Sequence, residues 1–180
     1  MKLIILDRDG VINHDSDDYI KSPDEWRPIA GSLEAIARLK QADYKIAVAT
    51  NQSGVARGLF GFDTLNRMHA KMLKMAADVG GGIDAIFFCP HLPEEGCQCR
   101  KPKPGLLNDI GERFGMDLSG VPVVGDSLRD LQSAQQVHAS PYLVRTGKGE
   151  RTIAQGEGLE GIPIFNDLAA VVDHILGSET

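Results

Sequence analysis

No stretch of this 180-residue chain is apolar for long enough to span a bilayer, and the N-terminal apolar run, Leu3 to Leu6, is far too short for the core of a signal peptide. The expected compartment is the cytoplasm, with no membrane partner. Basic residues are outnumbered: 19 Lys and Arg stand against 25 Asp and Glu, a formal net charge of -6. That balance argues against a broad face for nucleic acid, yet leaves room for a small basic pocket that takes an anionic metabolite. Cysteine is limited to three residues, which cannot all pair with one another, so the chain does not read as a disulfide scaffold from an oxidising compartment. Repeats and low-complexity segments are absent. So is an exposed apolar stripe, from which we expect a monomer.

What is present fits an ordinary globular domain, with 42% hydrophobic and 24% charged residues. The length suits one domain over residues 1–180, with disorder expected only at the last few residues. Short apolar runs alternate with helical patterns. Lys2 to Leu6 reads as a buried strand. Ser32 then stands as an N-cap before Leu33, Ile36, Ala37 and Leu39, and Ile46 to Ala49 is a second strand. Asp63 to Val79 carries Leu65, Met68, Met72, Leu73 and Ala76 on one helical face, and Ile83 to Phe88 is apolar again. A helix from Pro104 through Phe114, a strand Val121 to Val124, a helix Leu128 to Val137, strands at Pro141 to Val144 and Ile162 to Phe165, and a helix over Asn166 to Leu176 complete the pattern. The Gly-rich 147–161 stretch reads as a mobile connection. This alternation predicts an α/β fold, a doubly wound parallel sheet with ligands bound where strands end.

Four polar clusters follow strands directly: Asp7 to Gly10, Thr50 to Gly54, Cys89 to Lys101 and Gly125 to Asp130. An Asp-x-Asp pair alone is most often a solvated turn. Asp126 after a further strand changes this, because three carboxylates at one sheet edge call for a cation, and hard oxygen ligands suit Mg²⁺. In such a site one carboxylate can attack phosphorus while a neighbour manages protons, with Asp7 and Asp9 in those roles. Thr50 and Lys101 supply a hydroxyl and a point charge for the phosphoryl oxygens.

Cys89, His91, Cys97 and Cys99 offer three thiolates and an imidazole within a loop, 89–99, that has no apolar pattern in which to bury them. The set suits tetrahedral Zn²⁺ with no position left for water, so the metal is expected to be structural. A zinc finger for nucleic acid is the competing idea, but no basic helix follows. Arg100 and Lys101 come next in sequence, so closing the metal site would aim both at the carboxylate edge.

The segments DRDGV, TNQSG, RKPKPG and GDSLRD, in this order, resemble the four motifs of the haloacid dehalogenase phosphatase superfamily. The resemblance implies Asp7 as nucleophile, Asp9 as general acid/base, Thr50 and Lys101 as phosphoryl stabilisers, and Mg²⁺ on Asp7, Asp126 and the Asp9 backbone carbonyl. Val11 stands where many members have Thr. Asp130 either sits in the outer shell of the metal or caps the helix that follows. A non-enzymatic receiver module is a third class of reading, opposed by Asp9 and the Cys/His loop.

Within the superfamily, CPHLP, CQCRKPKPG and TNQSGVARG are similar to the heptose 1,7-bisphosphate 7-phosphatases, which supply heptose for lipopolysaccharide. The histidinol-phosphate phosphatases share CPHLP and CRKPK and remain the alternative. The family comparison implies substrate contacts from the loop around Asp15 to Tyr19, with Asp15, Asp18 and Tyr19 its candidates, and from Asn51, Gln52, Ser53 and Arg100. Ser127 replaces a Lys found in some relatives, and Arg57 is a candidate for the second phosphate, its alternative being a solvated loop arginine. No insertion is long enough for a large cap domain, so the zinc loop and the segment from Asp15 to Trp26 are expected to rim an open site. Trp26 is placed in packing, and His14, His69, His138 and His174 are read as surface residues.

Overall fold

The protein is described from a computed structural model over residues 1–178. The expected disorder of the last few residues falls partly on Glu179 and Thr180, which lie outside the described residues. Strand β1 (Lys2–Leu6) lies inside a six-stranded, all-parallel sheet with β2 (Tyr44–Asn51), β3 (Ala85–Cys89), β4 (Pro122–Gly125), β5 (Ser140–Val144) and β6 (Ile164–Phe165). The spatial order is β3-β2-β1-β4-β5-β6. The chain therefore winds outward from β1 to β3, then crosses back to the other side of β1. That reversal leaves a crevice at the carboxyl ends of β1 and β4, where doubly wound sheets bind ligands. The Asp7 N–H donates to the Val124 carbonyl at 3.0 Å and ties the two strand ends together.

Strand alternation divides the core. Ile4, Leu6, Ile46 and Val48 share one buried cluster with side chains of α1 (Ser32–Gln41), α2 (Phe62–Asp78) and α6 (Leu168–Gly177). Leu3, Ile5, Ala47, Ala49 and Val123 share the other with Leu106, Leu107 and Ile110 of α3 (Gly105–Phe114) and Ala134 of α4 (Leu128–Gln136). Each fully buried Leu or Ile contributes roughly 1.5–3 kcal/mol of apolar burial, so both faces of the central strands hold the sheet flat against helices. Trp26 is fully buried in the first cluster, as packing.

Two details differ from the sequence reading. The N-cap of α1 is Gly31, at φ 88°, and the Ser32 hydroxyl instead donates to the Val11 carbonyl at 2.9 Å. The entering chain needs a left-handed residue there, which glycine adopts without a steric penalty. The 147–161 stretch is not a loose connection: it contains α5 (Gly149–Gln155) and is bonded into the crevice, as described below. Residues 7–31, the longest segment between β1 and the next helix, hold one 3-10 turn at Pro23–Glu25 and no cap domain. Among the described residues, no helix is long and apolar enough to cross a membrane.

Candidate active site

The carboxyl end of β1 delivers Asp7, and that of β4 delivers Asp126. The ligand oxygens of Asp7, Asp126 and Asp130 lie within 4.8 Å of one another, and Asp126 and Asp130 are buried. Gly10, at φ 87°, lets the loop pass over Asp126 where a Cβ would collide with the Asp126 carboxylate. Burial, the Asp130 charge and the Asp9 charge outweigh Lys101 and raise the Asp7 carboxyl to about 7. Burial, then Asp7 and Asp130, push Asp126 well above the usual carboxylate range. Uncompensated negative charge of this kind fits a divalent cation with oxygen ligands.

Lys101 reaches into this cluster from the end of the Cys/His loop. Its Nζ donates to Asp7 Oδ1 at 3.1 Å, to Asp130 Oδ1 at 2.7 Å and to the Ala49 carbonyl at 2.8 Å. The Asp130 and Asp7 charges overcome burial and raise Lys101, so it remains an ammonium. Asp130 Oδ2 accepts from the N–H groups of Asp126 and Ser127, at 3.1 Å each, and from the Ser127 hydroxyl at 3.0 Å. Burial alone would raise Asp130, but Lys101 and these donors hold it below the ordinary range. Asp130 thus caps α4 and pairs with Lys101, with both oxygens engaged.

Asp9 is held by four side-chain donors. Its Oδ1 accepts from Arg8 Nη2 and Asn13 Nδ2 at 2.8 Å each and from Arg8 Nε at 3.1 Å, and its Oδ2 accepts from Gln52 Nε2 at 3.0 Å. Burial opposes its ionisation, yet Arg8 and the amide donors win and lower it. Gln52 Nε2 also donates to Thr50 Oγ1 at 2.9 Å, which fixes the Thr50 hydroxyl beside Asp9. The fully buried Arg8 places Nη1 3.2 Å from His69 Nε2. His69 is therefore not a surface residue: it is 6% exposed on α2, and burial with the Arg8 charge lowers it to about 4. A neutral imidazole gives Arg8 an acceptor, which explains a histidine on an otherwise apolar face. His14, His138 and His174 are exposed.

These groups form the floor of a pocket of about 310 Å³ whose walls include Asp15, Tyr19, Asn51, Gln52, Ser53, Arg57 and Arg100. Asp18 does not line it; this exposed residue borders a neighbouring groove with Lys21 and Asp24. The left-handed Tyr19, at φ 68°, turns the loop so that Tyr19 faces the pocket and Asp18 does not. Arg57 lies over the Tyr19 ring, 5.4 Å from its centroid, and donates to Ser53 Oγ at 3.3 Å. Ser127 lines the pocket, and Arg129 and Lys148 add positive charge nearby.

Across the rim, Cys89, His91, Cys97 and Cys99 bring their ligand atoms within 4.8 Å of one another. The Sγ atoms of Cys89 and Cys97 are 3.6 Å apart, and His91 Nδ1 lies 3.5 Å from Cys89 and 3.3 Å from Cys99. Zinc bonds of about 2.3 Å to sulfur and about 2.0 Å to nitrogen give tetrahedral edges of roughly 3.5–3.8 Å. Three edges lie close to that range, and the Cys89–Cys99 edge, at 2.8 Å, is shorter. Three thiols and an imidazole converging on one point are consistent with zinc. Arg100 Nη1 donates to the His91 carbonyl at 3.3 Å, so the loop also holds Arg100 toward the pocket.

Comparison with known proteins places this geometry. Residues 2–133 match the polynucleotide kinase 3 phosphatase family model, and residues 98–171 match the HAD-hydrolase-like model. Over 176 residues the chain is 60% identical to D-glycero-beta-D-manno-heptose-1,7-bisphosphate 7-phosphatase of Bordetella bronchiseptica, covering 98% of each. The corresponding protein of Pseudomonas aeruginosa is 58% identical over 97% of each chain. The chain belongs to the heptose-1,7-bisphosphate 7-phosphatase family of haloacid dehalogenase-like hydrolases. A crystal structure of the B. bronchiseptica enzyme, complexed with magnesium and phosphate, aligns at a TM-score of 0.97 with 59% identity, over 99% of both chains.

For a heptose bisphosphate phosphatase of this family, the motif residues were visible in the sequence and the supporting ones were not. Arg8 had no role assigned from the sequence, and His69 was read as a surface residue. Lys148 lay in a Gly-rich stretch with no motif. Charge supplied the one available signal, since Lys148 and Arg129 follow strand ends on the same sheet edge as the aspartates.

Proposed function

We propose that the chain hydrolyses the 7-phosphate of D-glycero-β-D-manno-heptose 1,7-bisphosphate, with Asp7 as nucleophile and Asp9 as proton carrier. The near full-length likeness to proteins of that name supports the substrate, and their names specify the β anomer. The single observation that carries the chemistry is a half-buried Asp7 with Lys101 bonded to it, beside Asp126 at the crevice of the sheet.

One carboxylate oxygen of Asp7 attacks phosphorus in line with the bond to sugar O7. That bond breaks, and protonated Asp9 gives its proton to the departing oxygen, which leaves the free alcohol and an aspartyl-phosphate. Asp9 then takes a proton from water as the water oxygen bonds to phosphorus, the Asp7–phosphorus bond breaks, and inorganic phosphate departs. The donors around Asp9 favour its ionised form, ready for the second half. A phosphoryl dianion arriving beside it acts the other way and favours the protonated form needed for the first. Lys101 and Thr50 stabilise the phosphoryl oxygens as charge shifts in each transition state.

Asp7, Asp126 and the Asp9 backbone carbonyl would hold Mg²⁺, whose charge offsets both the carboxylates and the phosphoryl group when it is bound. Cys89, His91, Cys97 and Cys99 would hold a structural Zn²⁺ and keep Arg100 and Lys101 aimed at the pocket. Asp15, Tyr19, Gln52, Ser53, Arg57 and Arg100 contact the sugar phosphate, and a monomer in a reducing compartment is the expected form. In the test, Asp7→Asn abolishes phosphate release while Tm and zinc content stay close to those of the parent. Full residual activity would overturn the role of Asp7.

A further inference from the structure

One residue of the turn between β5 and α5 touches both the floor and the wall of the pocket. The Lys148 N–H donates to Asp126 Oδ2 at 2.8 Å, and its Nζ pairs with Asp15 Oδ2, also at 2.8 Å. Asp126 belongs to the acidic floor; Asp15 belongs to the 14–19 loop that walls the pocket. The turn is pinned on both sides. Thr146 Oγ1 donates to the Gly10 carbonyl at 2.7 Å, and Thr152 Oγ1 donates to the Asp126 carbonyl at 2.8 Å. Gly147 packs so closely on Gly10 and Asp126 that it has no room for a Cβ.

Lys148 therefore projects from a fixed backbone onto a loop that has few other restraints from this side. The Arg151–Asp17 pair, at 3.3 Å, has side chains 58% and 72% exposed, where ion pairs contribute little. The Lys148 and Asp15 side chains are 31% and 16% exposed, so their pair is better shielded from solvent.

We propose that Lys148 is a positioning residue: it clamps Asp15 and so sets the 14–19 loop over the pocket from the same turn that supports Asp126. The proposal rests on the pocket's reading as a sugar-phosphate site. Its effect falls on substrate binding, because the ammonium is bonded to Asp15 and the reacting Asp7 is served by Lys101.

The test compares Lys148→Met, Asp15→Asn and the double variant with the parent. Phosphate release from heptose 1,7-bisphosphate is followed with Mg²⁺, together with hydrogen exchange of residues 14–19 in the metal-free protein. Each single variant is expected to raise KM by about tenfold, the scale of one charge-assisted contact, with kcat within about twofold. The double variant should be no worse than Asp15→Asn alone, since Lys148 acts through Asp15. Exchange in the loop should quicken in all three. Unchanged KM and exchange in Lys148→Met would overturn the clamp. So would a lower KM in Asp15→Asn beside a higher one in Lys148→Met, which would make Lys148 a direct substrate ligand. A parent inactive on the bisphosphate would refute the substrate reading alone, and the exchange data would still decide the clamp.

Discussion

Asn51 holds the backbone of Lys101 from both sides, its Oδ1 accepting the Lys101 N–H at 3.0 Å and its Nδ2 donating to the Lys101 carbonyl at 3.3 Å. The last residue of β2 thus copies a strand ladder with a side chain and fixes where the Cys/His loop delivers its lysine. Although Asn51 borders the pocket, both ends of its amide serve Lys101 more directly than they serve substrate. Asn51→Ala is expected to lower kcat by roughly 10- to 100-fold, because small misplacements of a catalytic group are costly. The loss of two hydrogen bonds should lower stability by about 1–2 kcal/mol. Steady-state kinetics and urea unfolding check both, and a change confined to KM would return Asn51 to the role of a substrate contact.

Lys101 pairs with the buried Asp130 and the half-buried Asp7, so its removal should be felt in the fold as well as in turnover. The Lys101 and Asp130 side chains are 6% and 4% exposed. Breaking one partner of a buried pair typically costs about 3–5 kcal/mol, because the other charge is left uncompensated. Lys101→Met should therefore lower the Tm of metal-free protein markedly, with part of the loss recovered at saturating Mg²⁺. Calorimetry with and without the metal reads both numbers.

The raised proton affinity of Asp7 sets the pH dependence of metal binding. In the proposed site protons and Mg²⁺ would compete for the same carboxylate, since burial and the Asp130 charge raise the Asp7 carboxyl to about 7. Below that value each pH unit should weaken Mg²⁺ binding by at least about tenfold, since binding must displace at least one proton. Asp126, raised in the same direction, steepens the slope. Isothermal titration at pH 6 and pH 8 measures it; equal affinities would show that Asp7 is already ionised in the free protein.

Removing the proposed zinc should loosen the loop without unfolding the sheet. Cys89 is packed in the second core cluster, while Cys97 and Cys99 are only partly buried against it, so the loop is joined to the core at one end. Chelation is expected to leave the far-UV circular dichroism close to that of the holo form and to reduce activity as Arg100 and Lys101 lose their fixed backbone. Complete unfolding on chelation would contradict this.

Much of this site could be read from the sequence because its chemistry is carried by residues that directly follow apolar strands. Asp7, Thr50 and Asp126 each end such a run, and parallel topology alone brings them to one edge. The Cys/His set was legible because three cysteines and a histidine fall within eleven positions, although Cys89 itself ends β3 and packs in the second core cluster. What escaped depended on contacts across the fold. His69 lies on α2, and only the approach of Arg8 explains its burial. Asp18 and Tyr19 are neighbours, and a left-handed turn that no motif announces decides which one faces the pocket. Lys148 was hidden by glycines that read as slack, although Gly147 is there because the backbone of the Gly10 loop passes against it.

The measurement that tests the central claim most directly is kcat/KM for phosphate release, with Mg²⁺, from the β and α anomers of D-glycero-D-manno-heptose 1,7-bisphosphate beside histidinol phosphate. The account predicts a strong preference for the β-bisphosphate, with release of the 7-phosphate only. Preference for histidinol phosphate would contradict the assignment of substrate while leaving the Asp7 chemistry in place, and inactivity on all three would contradict both.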